Sequence, residues 1–496
     1  MWPIIVAGVA FFLVRCSNSH SEDGGTPTAD AGVYGGATVD AGEKPVLDAG
    51  HAARDAGFSK DAGTKDGGPL KPPDNEVSHY VPPAHPIFPQ TTSTGINHFQ
   101  FLENGTPTHG SYPLILKCSE PDMSCYFGMG NKLYSFSSDS LNSNADRDLA
   151  VAADFSADID GQTAIMASAI KSENNYYGMY DTFDAAASPG PGIAIRDNNG
   201  APLATYYFPL VDGTPITTPN SMQVSQNRLW ASASNYVGGD DIYRAGTLFS
   251  IDINEDGTLV DDSSRLPLAS TQLDPQGLTV WYADNKTYIL AINTGKARFN
   301  QDGSIEILTE SGVDVIDPDA DKIIANIPLG LGSANNIVVT PDGAVAFASS
   351  QTLSNIYVID LERLKTKLSV LSPGENLGRV EDVVVADATN PIAINPTGAE
   401  FVAAIGYDFG TESLLTANFN AGTLGQIKAG YHVLPGVGIQ LDAGFGTVLA
   451  QYVCAPDGTM NCSQMDLMRS AVVALTGTPA SGTFVPHESL VQQPNH

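Results

Sequence analysis

Charged residues are scarce in this sequence, and basic residues are the scarcest. Of the 496 residues 16 % are charged, with 24 lysines and arginines against 55 aspartates and glutamates, so the formal net charge is −31. Binding to DNA, RNA or an anionic membrane surface depends on clustered basic side chains. The composition therefore removes nucleic acid from the expected partners and makes direct adsorption to anionic lipid unfavourable.

Long apolar runs and the common catalytic motifs are also missing. The main apolar run, from Ile4 to Val14, is too short to cross a bilayer. The chain has no G-x-S-x-G, H-E-x-x-H or Walker sequence, and its histidines lack metal-ligand spacing. A site assembled from distant segments is invisible to spacing, so whether the protein is an enzyme stays open. We lean towards a non-enzymatic protein and expect no cofactor.

Residues 1–16 have the pattern of a signal peptide for export. The apolar run ends near Cys16, and polar residues follow. This arrangement resembles a bacterial lipoprotein signal, with Leu13 and Val14 at permitted positions and Cys16 as the lipidated residue. Arg15 departs from that pattern, where a small residue is expected. The resemblance implies an exported protein anchored by an N-terminal lipid in the outer membrane, facing the periplasm or the cell surface; ordinary secretion and an uncleaved anchor stay open.

Residues 17–91 are predicted to be a disordered linker. Asp-Ala-Gly recurs through this stretch, which has too little apolar bulk to offset the entropy cost of folding. We expect it to act as an acidic tether between the membrane and a folded domain. The repeats start at Asp30, Asp40, Asp48, Asp55 and Asp61.

The stretch Gly332–Gly374 is typical of one β-propeller blade. Its apolar runs alternate or are β-branched, as strands do, and Pro341–Gly343 supplies a tight turn. We expect four strands here, with the third at Ile356–Asp360 and the fourth at Leu368–Leu371. Four strands in this length match a propeller repeat of roughly 40–50 residues.

The pattern recurs along the chain and predicts an all-β fold, a β-propeller of seven four-stranded blades over residues 92–490 with a tail at 491–496. Six and eight blades stay open, and an irregular β-sandwich is the alternative. Further third strands are expected at Leu133–Phe136, Ile193–Ile195, Leu248–Asp252, Val313–Asp317, Leu414–Asn418 and Val472–Leu475. First strands are expected at Pro219–Val224, Asp274–Val280, Asn335–Val339 and Asn390–Ile394.

Two of these units resemble the YVTN-type β-propeller repeats of surface-layer and lactonase-like proteins. The resemblance lies in Asn335–Gly343 with Asn355–Asp360, and in Val313–Gly330. It implies the propeller fold more than an activity, because one fold hosts many functions. Lactonases of this fold use acidic and basic residues on one face of the ring. We find no such residues at matching positions and assign none.

Four cysteines besides Cys16 form two close pairs, Cys118 with Cys125 and Cys454 with Cys462. Each intervening loop contains Pro-Asp, so each pair is expected to clip a hairpin with a disulfide, as suits an exported protein. Cross-pairing and zinc binding are the alternatives, although the CxxC spacing of zinc sites is absent.

One short string matches the start of a calcium loop. Asp252, Asn254 and Asp256, followed by Gly257, fit the pattern D-x-[DN]-x-[DN]-G. The twelfth position is Ser263, where a bidentate glutamate is needed, and the same residues make a good hairpin turn. Ca²⁺ binding and an ordinary turn are the two interpretations, and the missing glutamate favours the turn.

Amide side chains are expected where loops enter the innermost strand of each blade. Converging amides can bind a sugar, a peptide or a cation through neutral hydrogen bonds, but asparagine before a strand can also serve the turn alone. The residues are Asn220, Gln276, Asn335, Asn336 and Asn390.

Two tyrosine-rich stretches, Asn174–Gly192 and Asn235–Tyr243, are expected to be loops. Their tyrosines either anchor a partner or pack on the neighbouring blade. Taken together, the sequence predicts a cell-envelope binding or scaffold propeller that recognises protein or glycan through one face of the ring. The alternative is a lactonase-like envelope hydrolase with its site at the mouth of the central channel.

Overall fold

The computed structural model describes residues 91–453 with short gaps, and it describes side chains within residues 131–449. The predicted signal peptide, Cys16, the tether, Cys454, Cys462, the strand at Val472–Leu475 and the tail lie outside the described residues. Within the described part the chain is almost entirely β-strand with one α-helix, which confirms the all-β prediction. No helix in this part is long and apolar enough to cross a membrane.

Six antiparallel sheets, here called blades 1 to 6, follow one another along the chain. Four short strands precede them: β1 (Thr91–Thr92), β2 (Gly95–Ile96), β3 (Phe101–Glu103) and β4 (Thr106–Pro107). Blade 1 contains β5 (Pro113–Ser119), β6 (Ser124–Met129), β7 (Lys132–Ser137) and, after the short β8 (Arg147–Asp148), β9 (Ala150–Asp154). Blade 2 contains β10 (Ile165–Ser172), β11 (Asn175–Asp181), β12 (Gly192–Asp197) and β13 (Pro202–Tyr207).

Blades 3 and 4 each carry an inserted hairpin between their second and third strands. Blade 3 contains β14 (Pro219–Ser225), β15 (Arg228–Ala233), the hairpin β16 (Tyr236–Val237) and β17 (Ile242–Tyr243), β18 (Thr247–Asp252) and β19 (Leu268–Ala269). Blade 4 contains β20 (Pro275–Ala283), β21 (Lys286–Asn293), the hairpin β22 (Ala297–Phe299) and β23 (Ile305–Ile307), β24 (Ser311–Asp317) and β25 (Lys322–Gly330).

Blades 5 and 6 carry insertions after their third strands. Blade 5 contains β26 (Ala334–Val339), β27 (Val345–Ser350), β28 (Asn355–Asp360), β30 (Val384–Ala386) and β31 (Ile392–Ala393). Between β28 and β30 the chain forms helix α1 (Leu361–Leu368) and the short β29 (Gly378–Arg379), which pairs outside this sheet. Blade 6 contains β32 (Val402–Asp408), β33 (Ser413–Asn418), β34 (Thr423–Lys428), the hairpin β35 (Tyr431–Leu434) and β36 (Gly438–Leu441), and β37 (Val448–Val453).

The first strands of successive blades are neighbours in space, in the order β5, β10, β14, β20, β26 and β32. Sheets that each pair in sequence order and meet through their first strands surround a common axis. The chain is a β-propeller. A count of seven stays a prediction, because six blades are described and the seventh copy lies outside the described residues.

Among the residues that the structure describes, the core forms five apolar layers, one between each pair of successive blades from 1 to 6. Strand residues alternate between two layers: on β28, Tyr357 packs between blades 4 and 5, and Val358 packs between blades 5 and 6. Both faces of such a strand are buried. This burial explains why the run Ile356–Asp360 is apolar almost throughout rather than every second residue.

The fourth strand predicted at Leu368–Leu371 is wrong, because helix α1 begins directly after β28. The Asp360 carboxylate caps this helix by accepting a hydrogen bond from the Arg363 N–H at 2.8 Å. Leu361, Leu364 and Leu368 recur at helical spacing and are buried. The strand that completes blade 5 is β30, which pairs with β28.

Blade 6 also departs from the prediction. Leu414–Asn418, expected as its third strand, is the second strand β33, and the third is β34. The segment Asn390–Ile394, expected as its first strand, contains β31, which pairs with β28 at the outer side of blade 5. The third strands predicted in blades 1 to 5 are confirmed.

Blade 4 gains a fifth strand from blade 5. Strand β29 adds in parallel to the outer edge of β25. The Leu377 N–H donates to the Ile324 carbonyl at 2.7 Å, and the Val380 N–H donates to the Asn326 carbonyl at 2.8 Å. The segment that follows α1 therefore straps blade 5 to blade 4.

Candidate functional site at the channel mouth

Each of the six first strands has a register shift near its N-terminal end. Such bulges re-aim side chains and are common at rims and ligand sites. Because the six shifts lie at the same end of the ring, they mark one face, which we call the channel mouth. The shifts lie between Pro113 and Leu116, Met166 and Ser168, Pro219 and Met222, Pro275 and Leu278, Ala334 and Asn336, and Val402 and Ala404.

Three of the predicted amides, Asn220, Gln276 and Asn335, lie at these shifts in three consecutive blades. Two positions before each amide lies a non-glycine residue with a left-handed backbone conformation. The chain therefore enters the three first strands in the same way. Those residues are Thr218, Asp274 and Ser333, with φ of 54°, 60° and 49°. The structure places the three amides at equivalent positions, while ligand binding by them stays a prediction.

Two of these amides, Asn220 and Asn335, bond to neighbouring strands or blades. Asn220 donates to the Ser234 hydroxyl and, at 2.8 Å, to the Pro275 carbonyl on the first strand of blade 4. Asn335 accepts a hydrogen bond from the Ser349 hydroxyl at 3.1 Å. Both side chains are buried, so they hold strands and blades together and offer little surface to a ligand.

The remaining two predicted amides differ in position. Asn336 lies on β26 next to Asn335 and is half-buried. Asn390 does not enter a first strand: it is exposed in a turn before β31, where its N–H donates to Asp387 Oδ1 at 3.0 Å. The expectation that Asn390 enters a first strand is therefore wrong, because the segment that follows it, β31, pairs with β28 at the outer side of blade 5.

A buried carboxylate, Asp274, lies beside these amides and was missed from the sequence. It is 2 % exposed and accepts a hydrogen bond from Gln276 Nε2 at 2.7 Å, and the Ser234 side chain also bonds to it. Burial raises the pKa of Asp274 to about 6, although both hydrogen bonds act to lower it. Ser234 follows the second strand of blade 3, so this hydrogen-bond partner of Asp274 comes from a different blade.

A second buried carboxylate, Asp314 on β24, has a structural role. It accepts hydrogen bonds from the Thr271 N–H at 2.9 Å, from Asn293 at 2.9 Å and from Asn326 at 3.0 Å. Burial raises the pKa of Asp314, while these hydrogen bonds oppose the rise. The arrangement fastens the loop that joins blades 3 and 4 onto the third and fourth strands of blade 4.

The inserted hairpins of blades 3 and 4 stand on the mouth side of the ring and touch each other. The Tyr243 hydroxyl donates to the Ala297 carbonyl at 3.1 Å, and the Lys296 ammonium lies 5.0 Å from the Tyr243 ring centre. Tyr236 is buried and packs on Tyr243. These tyrosines shape the hairpins and leave little aromatic surface for a partner.

The other tyrosine-rich stretch is not a loop throughout, contrary to expectation. Its residues Asn175–Asp181 form β11, and Tyr176, Tyr177 and Tyr180 are buried there. Every residue of β11 is buried, so both faces of this strand are covered.

The side chains of the predicted calcium loop are engaged in ion pairs and hydrogen bonds within the protein. Asp252 is paired with Arg228 at 2.9 Å and with Arg265 at 2.7 Å, and both arginines also pair with Asp321 of blade 4. These four residues form a ring of ion pairs between blades 3 and 4, on the face opposite the mouth. The Asp252 carboxylate thus has two cationic partners.

The rest of that loop forms a hairpin turn. Asp256 Oδ1 accepts hydrogen bonds from the Thr258 N–H at 2.9 Å and from its hydroxyl at 2.7 Å, while Asn254 donates to Thr258 Oγ1 at 2.9 Å. Gly257 has a φ of 82°. No group of three histidine, cysteine, aspartate or glutamate side chains able to hold a metal ion occurs among the residues that the structure describes. Calcium binding stays a prediction that this geometry does not support.

Cys118 and Cys125 lie directly opposite each other on β5 and β6. Opposed residues of antiparallel strands have Cα atoms about 4.5–5.5 Å apart, a separation that a disulfide can span. The register fits the predicted bridge, which stays a prediction.

No family model matches the chain, and no curated protein matches it by sequence. Solved structures with a similar course of the chain include hydrazine synthase from Kuenenia stuttgartiensis, with 14 % identity, a TM-score of 0.42 and coverage of 64 % of this chain and 83 % of that one. AztD from Citrobacter koseri has 12 % identity, a TM-score of 0.36 and coverage of 69 % and 72 %. The β-propeller domain of Swd1 from Myceliophteria thermophila has 11 % identity, a TM-score of 0.38 and coverage of 68 % and 87 %. Similarities at this level carry no functional argument, and the fold rests on the sheets described above.

Proposed function

We propose that this chain is a cell-envelope binding or scaffold propeller that recognises a protein or a glycan through the channel mouth. The observation that carries the proposal is a pair of half-buried amides, Gln276 and Asn336, at the bulges of the first strands of blades 4 and 5. Neutral hydrogen-bonding groups gathered on one face suit polar, uncharged ligand groups. Export, lipidation at Cys16, the tether and kinship with YVTN-type repeats are parts of the same proposal.

The competing proposal is a lactonase-like hydrolase with its site at the same mouth. Such an enzyme needs a base placed against a reactive carbonyl, together with groups that stabilise the developing charge. Asp274 is a carboxylate at the mouth, but it is buried and already bonded to Ser234 and Gln276. This engagement favours a binding protein over a hydrolase.

Site-specific photo-crosslinking in the full-length protein tests which face binds. One crosslinker replaces Glu306, which is half exposed on the mouth-side hairpin of blade 4. The control replaces Asp319, which is exposed in the turn between β24 and β25 on the opposite face. With cell-envelope fractions we expect an adduct from position 306 and none from position 319, and we expect Gln276→Ala to weaken that adduct.

Adducts from position 319 alone would place recognition on the wrong face and overturn the proposal. Turnover of a lactone panel by the wild-type protein, lost in Asp274→Asn, would decide for the hydrolase.

A further inference from the structure

Gln276 is unlike the other two mouth amides, because it is half-buried and bonds to a carboxyl group. Its Nε2 donates to Asp274 Oδ1 at 2.7 Å. In the described part of the chain no group donates to its Oε1. The amide therefore connects the buried carboxyl group to the open mouth.

The protonation of Asp274 decides which way such an amide can face. An ionised carboxylate only accepts hydrogen bonds, so the Gln276 NH₂ group must point inward and its Oε1 is left for the mouth. A protonated carboxyl group also donates. It can give its O–H to Oε1, which leaves the NH₂ group for the mouth.

We infer that Asp274 sets the hydrogen-bonding character of the channel mouth by fixing the orientation of the Gln276 amide. With Asp274 ionised the mouth presents an acceptor, which suits hydroxyl or ammonium groups of a ligand. With Asp274 protonated it presents donors, which suit carbonyl or carboxylate groups. The inference deepens the proposed function and rests on it for the ligand, whereas the amide orientation is a property of the protein alone.

The pH at which the Gln276 amide changes its orientation depends on the surroundings of Asp274. Burial raises its pKa to about 6, and the causes of the shift include no charged neighbour. Apart from Asp274 itself, strands β14 and β20 and the loop before β20 carry no charged residue. Charged groups on the other packed elements are distant, exposed or engaged. Arg228 and Lys286 lie at the far ends of β15 and β21 and pair with Asp252 and Asp317, while Lys296 lies over the Tyr243 ring. Arg244, between β17 and β18, is exposed, and Asp314 on β24 is buried. The change is therefore expected at about pH 6.

Solvent exchange of the Gln276 side-chain NH₂ protons, followed by NMR on the full-length protein, reports the orientation. The exposed Asn390 side chain is the reference, since it has the same chemistry and the same intrinsic pH dependence. We expect the ratio of Gln276 to Asn390 exchange to rise as the pH falls, with a midpoint at about pH 6. Infrared difference spectra should show the carbonyl stretch of a protonated carboxylic acid with the same midpoint.

Asp274→Asn should abolish both transitions, whereas Asp314→Asn, at the other buried carboxylate, should leave them in place. A ratio that stays constant or falls while Asp274 titrates overturns the inference, and so does titration of Asp274 at an ordinary value near 4. The wild-type titration decides the matter even if a variant fails to fold. Because no ligand is involved, failure of the crosslinking experiment would leave this result unaffected, and the reverse also holds.

Discussion

Replacing Asp274 by asparagine should stabilise the protein at neutral pH and leave its stability almost unchanged at low pH. The pKa of Asp274 is about 6 in the folded chain against an ordinary value of 3.8. The folded state therefore holds the proton more tightly than the unfolded chain does. Stability from this group is fully present below pH 3.8, is lost as the pH rises from about 4 to about 6, and then stays level.

The size of the effect follows from the shift. A difference of about two pKa units corresponds to about 3 kcal/mol of unfolding free energy. The amide of asparagine has nearly the shape of the carboxylate, and its oxygen can still accept from Gln276. The Ser234 hydroxyl can turn to accept from the new NH₂ group. We thus expect Asp274→Asn to gain up to about 3 kcal/mol at pH 7 and close to nothing at pH 4.

Urea denaturation of wild type and variant between pH 4 and pH 7.5 measures this difference, and subtracting the two curves cancels the titration of the other carboxyl groups. The matched control for replacing an aspartate on the surface is Asp212→Asn, at an exposed position with a φ of 51°. A difference between wild type and Asp274→Asn that is flat across this range would show that the carboxyl group is not destabilised by its burial.

Three further outcomes are expected. Gly257→Ala should cost more than the ~1–2 kcal/mol of left-handed backbone alone, because a Cβ there collides with the Asn175 amide; urea midpoints measure the loss. Trp281→Ala should lower stability by about 3–5 kcal/mol in the same assay, since this indole is fully buried and donates to a backbone carbonyl. Non-reducing peptide mass spectrometry should recover Cys118 and Cys125 in one linked species, because the two residues face each other across β5 and β6.

Each of these outcomes has its own control. Gly213 has a φ of 75° and no atom within 4 Å of an added Cβ. Gly213→Ala should therefore lower stability only by the ~1–2 kcal/mol of left-handed backbone. Trp281→Phe should lose less than Trp281→Ala, because most of the buried ring remains. A linked species that joins Cys118 to Cys454 or Cys462 would contradict the proposed pairing. Equal losses for the two glycine variants would contradict the collision at Gly257.

Much of the fold could be predicted from the sequence, because its strands are covered on both faces. A strand such as Ile356–Asp360 lies between two apolar layers and is therefore apolar almost throughout, which makes it easy to find. The third strand of blade 6, Thr423–Lys428, is harder to find because it contains glycine, glutamine and lysine. The preceding strand segment, Leu414–Asn418, is more apolar and was predicted to be the third strand instead. Helix α1 was missed because Asp360 ends a strand and caps a helix at once.

The mouth was predictable only in part. Proline or asparagine before a first strand marked the positions of Asn220, Gln276 and Asn335 correctly. The sequence could not show that Asp274 is held inside the protein, because its hydrogen-bond partner Ser234 lies 40 positions earlier in a different blade. Nor could it show that Asp252 is paired with arginines, since Arg265 lies beyond the loop that matched the calcium pattern.

The strap formed by β29 has a consequence for the behaviour of the protein in solution. The outermost strand of a sheet presents a row of free N–H and C=O groups, through which sheets of separate molecules can join into aggregates. The parallel pairing of β29 with β25 takes up part of that row on blade 4, and Arg379 of the strap pairs with Glu310 at 2.6 Å. The segment after α1 thus shields an edge at which blades of neighbouring molecules could otherwise fuse.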